Sequence, residues 1–188
     1  GEFPSLTREQ RATVVETVVD AAGDDVPVLA GTGATALDDV RALTRDAADA
    51  GADAAVVVTP YYLGTDQAGL QAFYETLADD APIPIVLYNI PQVTGQDIAI
   101  ETVEALADHE NIVGIKDSSG ELTFAYEAVR RTPAEFNVLM GIAELSIAGL
   151  DVGVDGLVSG PANAYPGPVS EMYDAHAAGD RERAVELN

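Results

Sequence analysis

The chain of 188 residues has no cysteine and no tryptophan, and its single lysine is Lys116. Without cysteine there are no disulfides, thiolate metal sites or cysteine nucleophile. Basic residues are scarce throughout: 9 Lys+Arg stand against 32 Asp+Glu, a formal net charge of −23. That field repels polyphosphate and anionic lipid, so neither nucleic acid nor a membrane surface is expected as a partner. Long apolar runs are also lacking. Stretches such as Ala54 to Val58 fall far short of the roughly 18–20 residues a membrane helix needs. No charged-then-apolar leader opens the chain, and the expected location is cytoplasmic. His109 and His176 each lack a second histidine at ligand spacing, so no metal site is expected and both should face solvent. There is no Gly-x-Ser-x-Gly elbow, and Gly31-Thr32-Gly33 lacks the third glycine of a dinucleotide fingerprint.

What is present is a core-forming composition, 47% hydrophobic, in a strict alternation of patterns. A helix pattern from about Thr7 to Ala22 opens on the capping-box pair Thr7 and Gln10 and stops at Gly23. Val26 to Ala30 reads as a short buried strand. Gly31 to Thr35 reads as a turn, and Ala36 to Ala50 as a helix capped by Thr35 with Asp38. The unit then repeats. Strand patterns at 54–58, 83–88, 112–116, 136–140 and 156–158 precede helix patterns at 67–78, 99–108, 122–131, 144–150 and 167–178, and a last short helix begins near Arg181. The strands are nearly continuous apolar runs, which marks strands covered on both faces in a parallel sheet. Two α/β architectures fit: a doubly wound open sheet and a (β/α)8 barrel. No linker divides residues 1–188, so one domain is expected. The acid pairs Asp24-Asp25, Asp38-Asp39 and Asp79-Asp80 fall at helix ends and turns and read as solvated surface. Dispersed acids with almost no lysine suit a cytoplasm of high salt, where screening shortens self-repulsion, and so a halophilic protein.

In either architecture the site lies at the carboxyl ends of the strands. Collected there are Thr59-Pro60-Tyr61-Tyr62, Tyr88-Asn89-Ile90-Pro91, Lys116-Asp117-Ser118-Ser119-Gly120, Gly141 and Ser159-Gly160-Pro161. Lys116 closes the apolar run Ile112 to Ile115 in a chain that otherwise avoids lysine. Burial disfavours an ammonium, and a neutral amine attacks carbonyls to form a Schiff base. Against this stands a lysine reaching into water or pairing with Asp117. Tyr88 ends the neighbouring strand; its phenol can donate and accept protons, or its ring can simply pack. Tyr61 and Tyr62 form a loop pair of the kind that packs an interface.

Val57-Val58-Thr59-Pro60-Tyr61-Tyr62, Leu87-Tyr88-Asn89-Ile90-Pro91 with Thr94-Gly95, and Val113-Gly114-Ile115-Lys116-Asp117-Ser118-Ser119-Gly120 together resemble the dihydrodipicolinate synthase/N-acetylneuraminate lyase family, in order and spacing along essentially the whole chain. The resemblance implies a class I, Schiff-base, pyruvate-dependent aldolase or lyase on a (β/α)8 barrel. It implies no metal or organic cofactor, and a small keto acid and an aldehyde as partners. Lys116 would be the Schiff-base lysine and Tyr88 the proton shuttle. Tyr62 would enter a neighbouring subunit's site, implying a homo-oligomer, dimer or tetramer. Gly141 and Val158 would line the pyruvate pocket.

Three departures follow. Where dihydrodipicolinate synthases usually carry an arginine for a substrate carboxylate, this chain has Val93. Losing such a cation at a buried site removes roughly 2–5 kcal/mol of binding. Where they tend to have alanine, it has Ser118, whose hydroxyl resembles that of the sugar-acid aldolases. The resemblance therefore points to a 2-keto-3-deoxy sugar-acid aldolase, with 4-hydroxy-tetrahydrodipicolinate synthase as the alternative. A non-catalytic ligand-binding or assembly protein is the reading from another class. Finally, of the family's Gly-[Thr/Ser]-[Thr/Ser]-Gly-Glu motif, which holds the pyruvate carboxylate, only Gly1-Glu2 is present. The expectation is a truncated TIM barrel with strands three to eight of eight, lacking strands one and two and the usual C-terminal helices.

Overall fold

In the computed structural model, which describes residues 2–188, a 3-10 turn at Phe3–Ser5 leads into α1 (Arg8–Ala22), β1 (Leu29–Gly31), α2 (Leu37–Asp49), β2 (Ala54–Val58) and α3 (Gln67–Asp80). Then come β3 (Ile85–Asn89), the one-turn α4 (Pro91–Thr94), α5 (Ile100–Leu106), β4 (Ile112–Asp117) and α6 (Leu122–Arg131). The chain finishes with β5 (Asn137–Met140), α7 (Ser146–Val152), β6 (Gly156–Leu157), α8 (Pro166–Ala177) and α9 (Arg181–Leu187). The six strands are all parallel and pair in chain order, β1-β2-β3-β4-β5-β6. That order decides between the two architectures. A doubly wound sheet reverses at a switch point and carries helices on both faces. Sequential pairing with crossovers of constant hand puts the connecting helices on one face, which is the winding of a (β/α)8 barrel. The structure is a six-stranded part of such a barrel.

Alternation along the strands divides the two faces. Ala55 and Val57 of β2, Ile85 and Leu87 of β3, Ile115 of β4 and Val138 of β5 pack among Val40, Leu70, Tyr74, Leu77, Val103 and Leu106 of the helices, all fully or almost fully buried. Each such Leu, Ile or Val contributes roughly 1.5–3 kcal/mol. The Tyr74 hydroxyl, inside this layer, donates to the Val57 carbonyl at 3.0 Å. The other face carries Val56, Val58, Tyr88, Lys116 and Leu139 and forms the site.

Several boundaries differ from the sequence expectation, each for a local reason. The first strand begins at Leu29 rather than Val26. Pro27 has no N–H for a ladder, Val26 is exposed, and the Val28 N–H goes to the Asp53 carboxylate at 2.7 Å. Pro84 shortens β3 in the same way, its carbonyl accepting from the Ala55 N–H at 2.8 Å. The capping box of Thr7 and Gln10 forms as expected. Thr35 does not cap α2; Ala36 occupies that position with no side-chain bond. The helix expected at 144–150 is split into a 3-10 turn, Ala143–Leu145, and α7. Val158 lies one residue past β6, although its N–H still bonds the Met140 carbonyl at 2.8 Å.

The two histidines do not face open solvent. His109 contacts Asp79 at 3.2 Å and His176 contacts Asp151 at 3.1 Å, each ring mostly covered. Asp80 is likewise engaged, pairing with Arg41 at 2.6 Å. Among the described residues no helix is long and apolar enough to cross a membrane. Of the Gly1-Glu2 pair, Gly1 lies outside the described residues, and the Glu2 carbonyl accepts from the Ser5 N–H at 2.9 Å.

Candidate active site

A register shift builds the site. Ile85 pairs with Ile112, but Val86 pairs with Gly114, so Val113 is an extra residue on β4. Regular pairing from Ile85 would have set Tyr88 beside Ile115 and Lys116 beside Asn89. The bulge instead sets Lys116 beside Tyr88, and lets Ile112 and Ile115 both face the helices. The row across the sheet runs Val58, Tyr88, Lys116, Leu139. Lys116 is half-buried, and its Nζ lies 4.0 Å from the centroid of the Tyr88 ring. This is cation–π range, with the contact to the ring face.

Asp117 does not pair with the lysine. It lies on the opposite face, 1% exposed. Its Oδ1 accepts from Asn89 Nδ2 at 2.9 Å and from the Ser119 N–H at 3.2 Å, and its Oδ2 accepts from Ser119 Oγ at 2.9 Å. Burial pushes the Asp117 carboxyl above the usual carboxylate range, while these hydrogen bonds pull it back.

In front of Lys116 opens a cavity of about 470 Å³. Tyr88, Val93 and Val158 line it, as do Tyr61, Ile90, Thr94 and the Phe3-Pro4 turn; among the described residues lining it, Lys116 is the only charged one. Ser118 and Gly141 sit behind the lysine stem rather than at the cavity wall. Ser118 is 3% exposed, and the Gly141 N–H donates to the Asp117 carbonyl at 2.7 Å. A Cβ on Gly141 would overlap Ser118 Oγ and stand 3.0 Å from Lys116 Cε and from the Asp117 carbonyl oxygen. Glycine is therefore what lets the lysine stem pass.

Tyr62 is not brought into this chain's cavity. It is 91% exposed, and its backbone is left-handed, φ 76°, a conformation that costs a non-glycine residue about 1–3 kcal/mol. Tyr61 takes the inward place, 6.1 Å from the Phe3 ring in an edge-on contact. The loops after β2 and β3 are tied together by Gln96, whose amide bonds both the Thr65 N–H, at 3.2 Å, and the Thr65 carbonyl.

Sequence reasoning gathered Tyr61, Ile90 and Thr94 in the strand-end motifs without giving any of them a lining role, and it missed the Phe3-Pro4 turn. Only the position of Ile90 and Thr94 just past the tyrosine strand could have signalled that role. Among the described residues no group of three or more His, Asp or Glu converges to hold a metal ion. The arrangement is an amine at the end of a largely apolar cavity beside a phenol, which suits addition to a carbonyl.

The sequence profile of the Dihydrodipicolinate synthetase family matches residues 1–188. The chain belongs to this family. An uncharacterized DapA-like lyase of Halobacterium salinarum is 43% identical over 184 residues, covering 98% of this chain and 60% of its own length. A 4-hydroxy-tetrahydrodipicolinate synthase of Natronomonas pharaonis is 42% identical over 188 residues, covering 100% of this chain and 64% of its own. Among solved structures, the chloride-inhibited dihydrodipicolinate synthase of Acinetobacter baumannii complexed with pyruvate superposes with a TM-score of 0.95 at 35% identity, over 100% of this chain and 64% of that one. The chain thus spans less than two-thirds of the length of these family members.

Proposed function

We propose that this chain carries the Schiff-base site of a pyruvate-dependent carbon–carbon lyase, with Lys116 as nucleophile and Tyr88 as proton carrier. The observation that carries the reading is the bulge-set pairing of Tyr88 with Lys116, which puts an amine over a phenol ring at the end of the cavity. The neutral amine adds to the keto carbon, and loss of water leaves a protonated imine. As the neighbouring carbon–carbon bond breaks, its electron pair moves into the imine, giving an enamine and an aldehyde. Tyr88, both donor and acceptor, relays the proton from the substrate hydroxyl. No metal or organic cofactor enters these steps. Ser118 and Gly141 shape the lysine stem, and Val158 supplies an apolar wall. Tyr62, exposed here, enters the site of a second copy in a homo-oligomer.

For the substrate, we favour a 2-keto-3-deoxy sugar acid. Val93 lines the cavity rim but is 77% exposed rather than buried as expected. An arginine missing there therefore removes less binding than a buried cation would, while still leaving no charge for a second carboxylate. A second reading, 4-hydroxy-tetrahydrodipicolinate synthase, is favoured by the name of the Natronomonas relative.

In the full-length protein, pyruvate with borohydride is expected to leave a covalent adduct on Lys116 by mass spectrometry. A folded protein without that adduct refutes the lyase reading and supports a binding or assembly role. Cleavage of keto-deoxy sugar acids, compared with condensation of pyruvate and aspartate semialdehyde, then separates the two substrates.

A further inference from the structure

We propose that Asn89 and Asp117 form a positioning pair that locks the strand ends carrying Tyr88 and Lys116 to each other and to the loop 90–98 over the cavity. The inference rests on the lyase reading above. Asn89 and Asp117 pair directly across β3 and β4, one step beyond Tyr88 and Lys116. Both are 1% exposed, and they lie on the face away from the cavity, so neither touches reacting atoms.

The Asn89 side chain is used at both ends. Its Nδ2 donates to Asp117 Oδ1 at 2.9 Å, and its Oδ1 accepts from the Ile98 N–H at 3.1 Å. Its carbonyl accepts from the Ser118 N–H at 2.8 Å. Gln92, in α4, donates to the Ser119 carbonyl, and Ser119 caps the same Asp117 carboxylate. The loop that holds Ile90, Val93 and Thr94 at the cavity is therefore anchored at its far end by Asn89 and, through Gln92 and Ser119, near its start by Asp117.

The pair is held by its own burial. A carboxylate this enclosed is costly unless every partner stays in place, so Asp117 keeps the Asn89 amide turned toward it and the other end of that amide turned toward Ile98. The consequence for chemistry is geometric. The lateral offset between phenol and amine is set one residue from this rung, and small displacements of reacting groups cost large factors in rate.

The experiment uses the full-length protein and follows adduct formation on Lys116 with pyruvate and borohydride, alongside hydrogen exchange of the Ile98 amide. Asn89→Asp keeps the shape but sets two carboxylates against each other. Trapping is expected to slow on the order of 10–100-fold, mainly in the rate constant rather than in the pyruvate concentration needed. Ile98 exchange should accelerate. The double variant Asn89→Asp/Asp117→Asn, which removes the repulsion and can again bond across the rung, should recover most of the rate. If Asn89→Asp does not fold, Asn89→Ser takes its place, removing both bonds without adding a charge. A wild type that forms no adduct overturns the lyase reading and this inference with it. A wild type that traps, with a folded Asn89 variant that traps as fast, overturns the positioning pair alone. Slowing that the double variant does not recover also overturns it.

Discussion

Replacing Gly141 with alanine would add one methyl group where three neighbours already meet. The new Cβ would overlap Ser118 Oγ and stand 3.0 Å from both Lys116 Cε and the Asp117 carbonyl oxygen. The carbonyl cannot yield, since it accepts the N–H of Gly141 itself at 2.7 Å. Ser118 is itself buried, 3% exposed. The overlap with Ser118 Oγ must be relieved first, by rotation of that hydroxyl or a shift of the Gly141 backbone, and either presses on the lysine stem. Overpacking of this kind costs about 1–3 kcal/mol, which lowers the melting temperature by several degrees. A lysine amine displaced by a fraction of an ångström to about 1 Å should slow adduct formation with pyruvate by up to roughly 10²-fold. The assay pairs thermal melting with borohydride trapping on the full-length protein. In a double-mutant cycle, Ser118→Ala should recover part of both losses, with a coupling above the roughly 0.5 kcal/mol expected of independent sites. Wild-type melting and wild-type trapping in Gly141→Ala would show that the lysine stem is not confined as argued.

Tyr88→Phe keeps the ring beneath Lys116 Nζ but removes the phenol, so turnover is expected to fall about 10²–10⁴-fold with melting unchanged; unaltered turnover would remove Tyr88 from proton transfer. The Asp46 carboxyl is held below its ordinary value of 3.8 by a hydrogen bond and charge from Arg8. A depressed carboxylate stabilises the fold above its unfolded value and loses that contribution as pH falls through the lower folded one. Asp46→Asn should therefore melt below wild type at neutral pH, with the difference closing at pH values below 3.8, and a difference constant with pH would contradict the pairing. With a net charge of −23, raising salt from about 0.1 M to 1 M shortens screening from about 10 Å to 3 Å and should raise the melting temperature; a flat or falling curve would mean that the surface ion pairs outweigh the repulsion.

The strand–helix alternation was legible because each strand is a continuous apolar run closed by glycine, proline or a polar turn, and Lys116 because a chain that avoids lysine kept one at a strand end. Winding was not legible from periodicity: a parallel sheet covered on both faces reads the same whether helices lie on one side or two, and the pairing order β1 to β6 decides it. The family motifs, rather than the hydrophobic pattern, pointed to the barrel. Strand ends were misjudged at Val26 and Ile83, where an apolar residue precedes a proline that cannot donate to the ladder.

What stayed hidden in the site has a common cause. Nothing in Ile112-Val113-Gly114-Ile115 says which residue is extra, yet counting alternation back from Lys116 without a bulge would turn Ile112 toward the cavity. The bulge exists only in the register with β3. Asn89 and Asp117 read as polar neighbours of Tyr88 and Lys116, and their burial is visible only once α4 and the loop to Ile98 fold back over the strand ends. Tyr61 and Tyr62 are identical side chains one residue apart. The positive φ at Tyr62 sends one outward and leaves the other to line the cavity. In each case the deciding quantity is a relation between segments distant in the chain or a single backbone angle. A strand pattern can therefore nominate Lys116 and Tyr88, while their meeting depends on the register and bonds of the residues beside them.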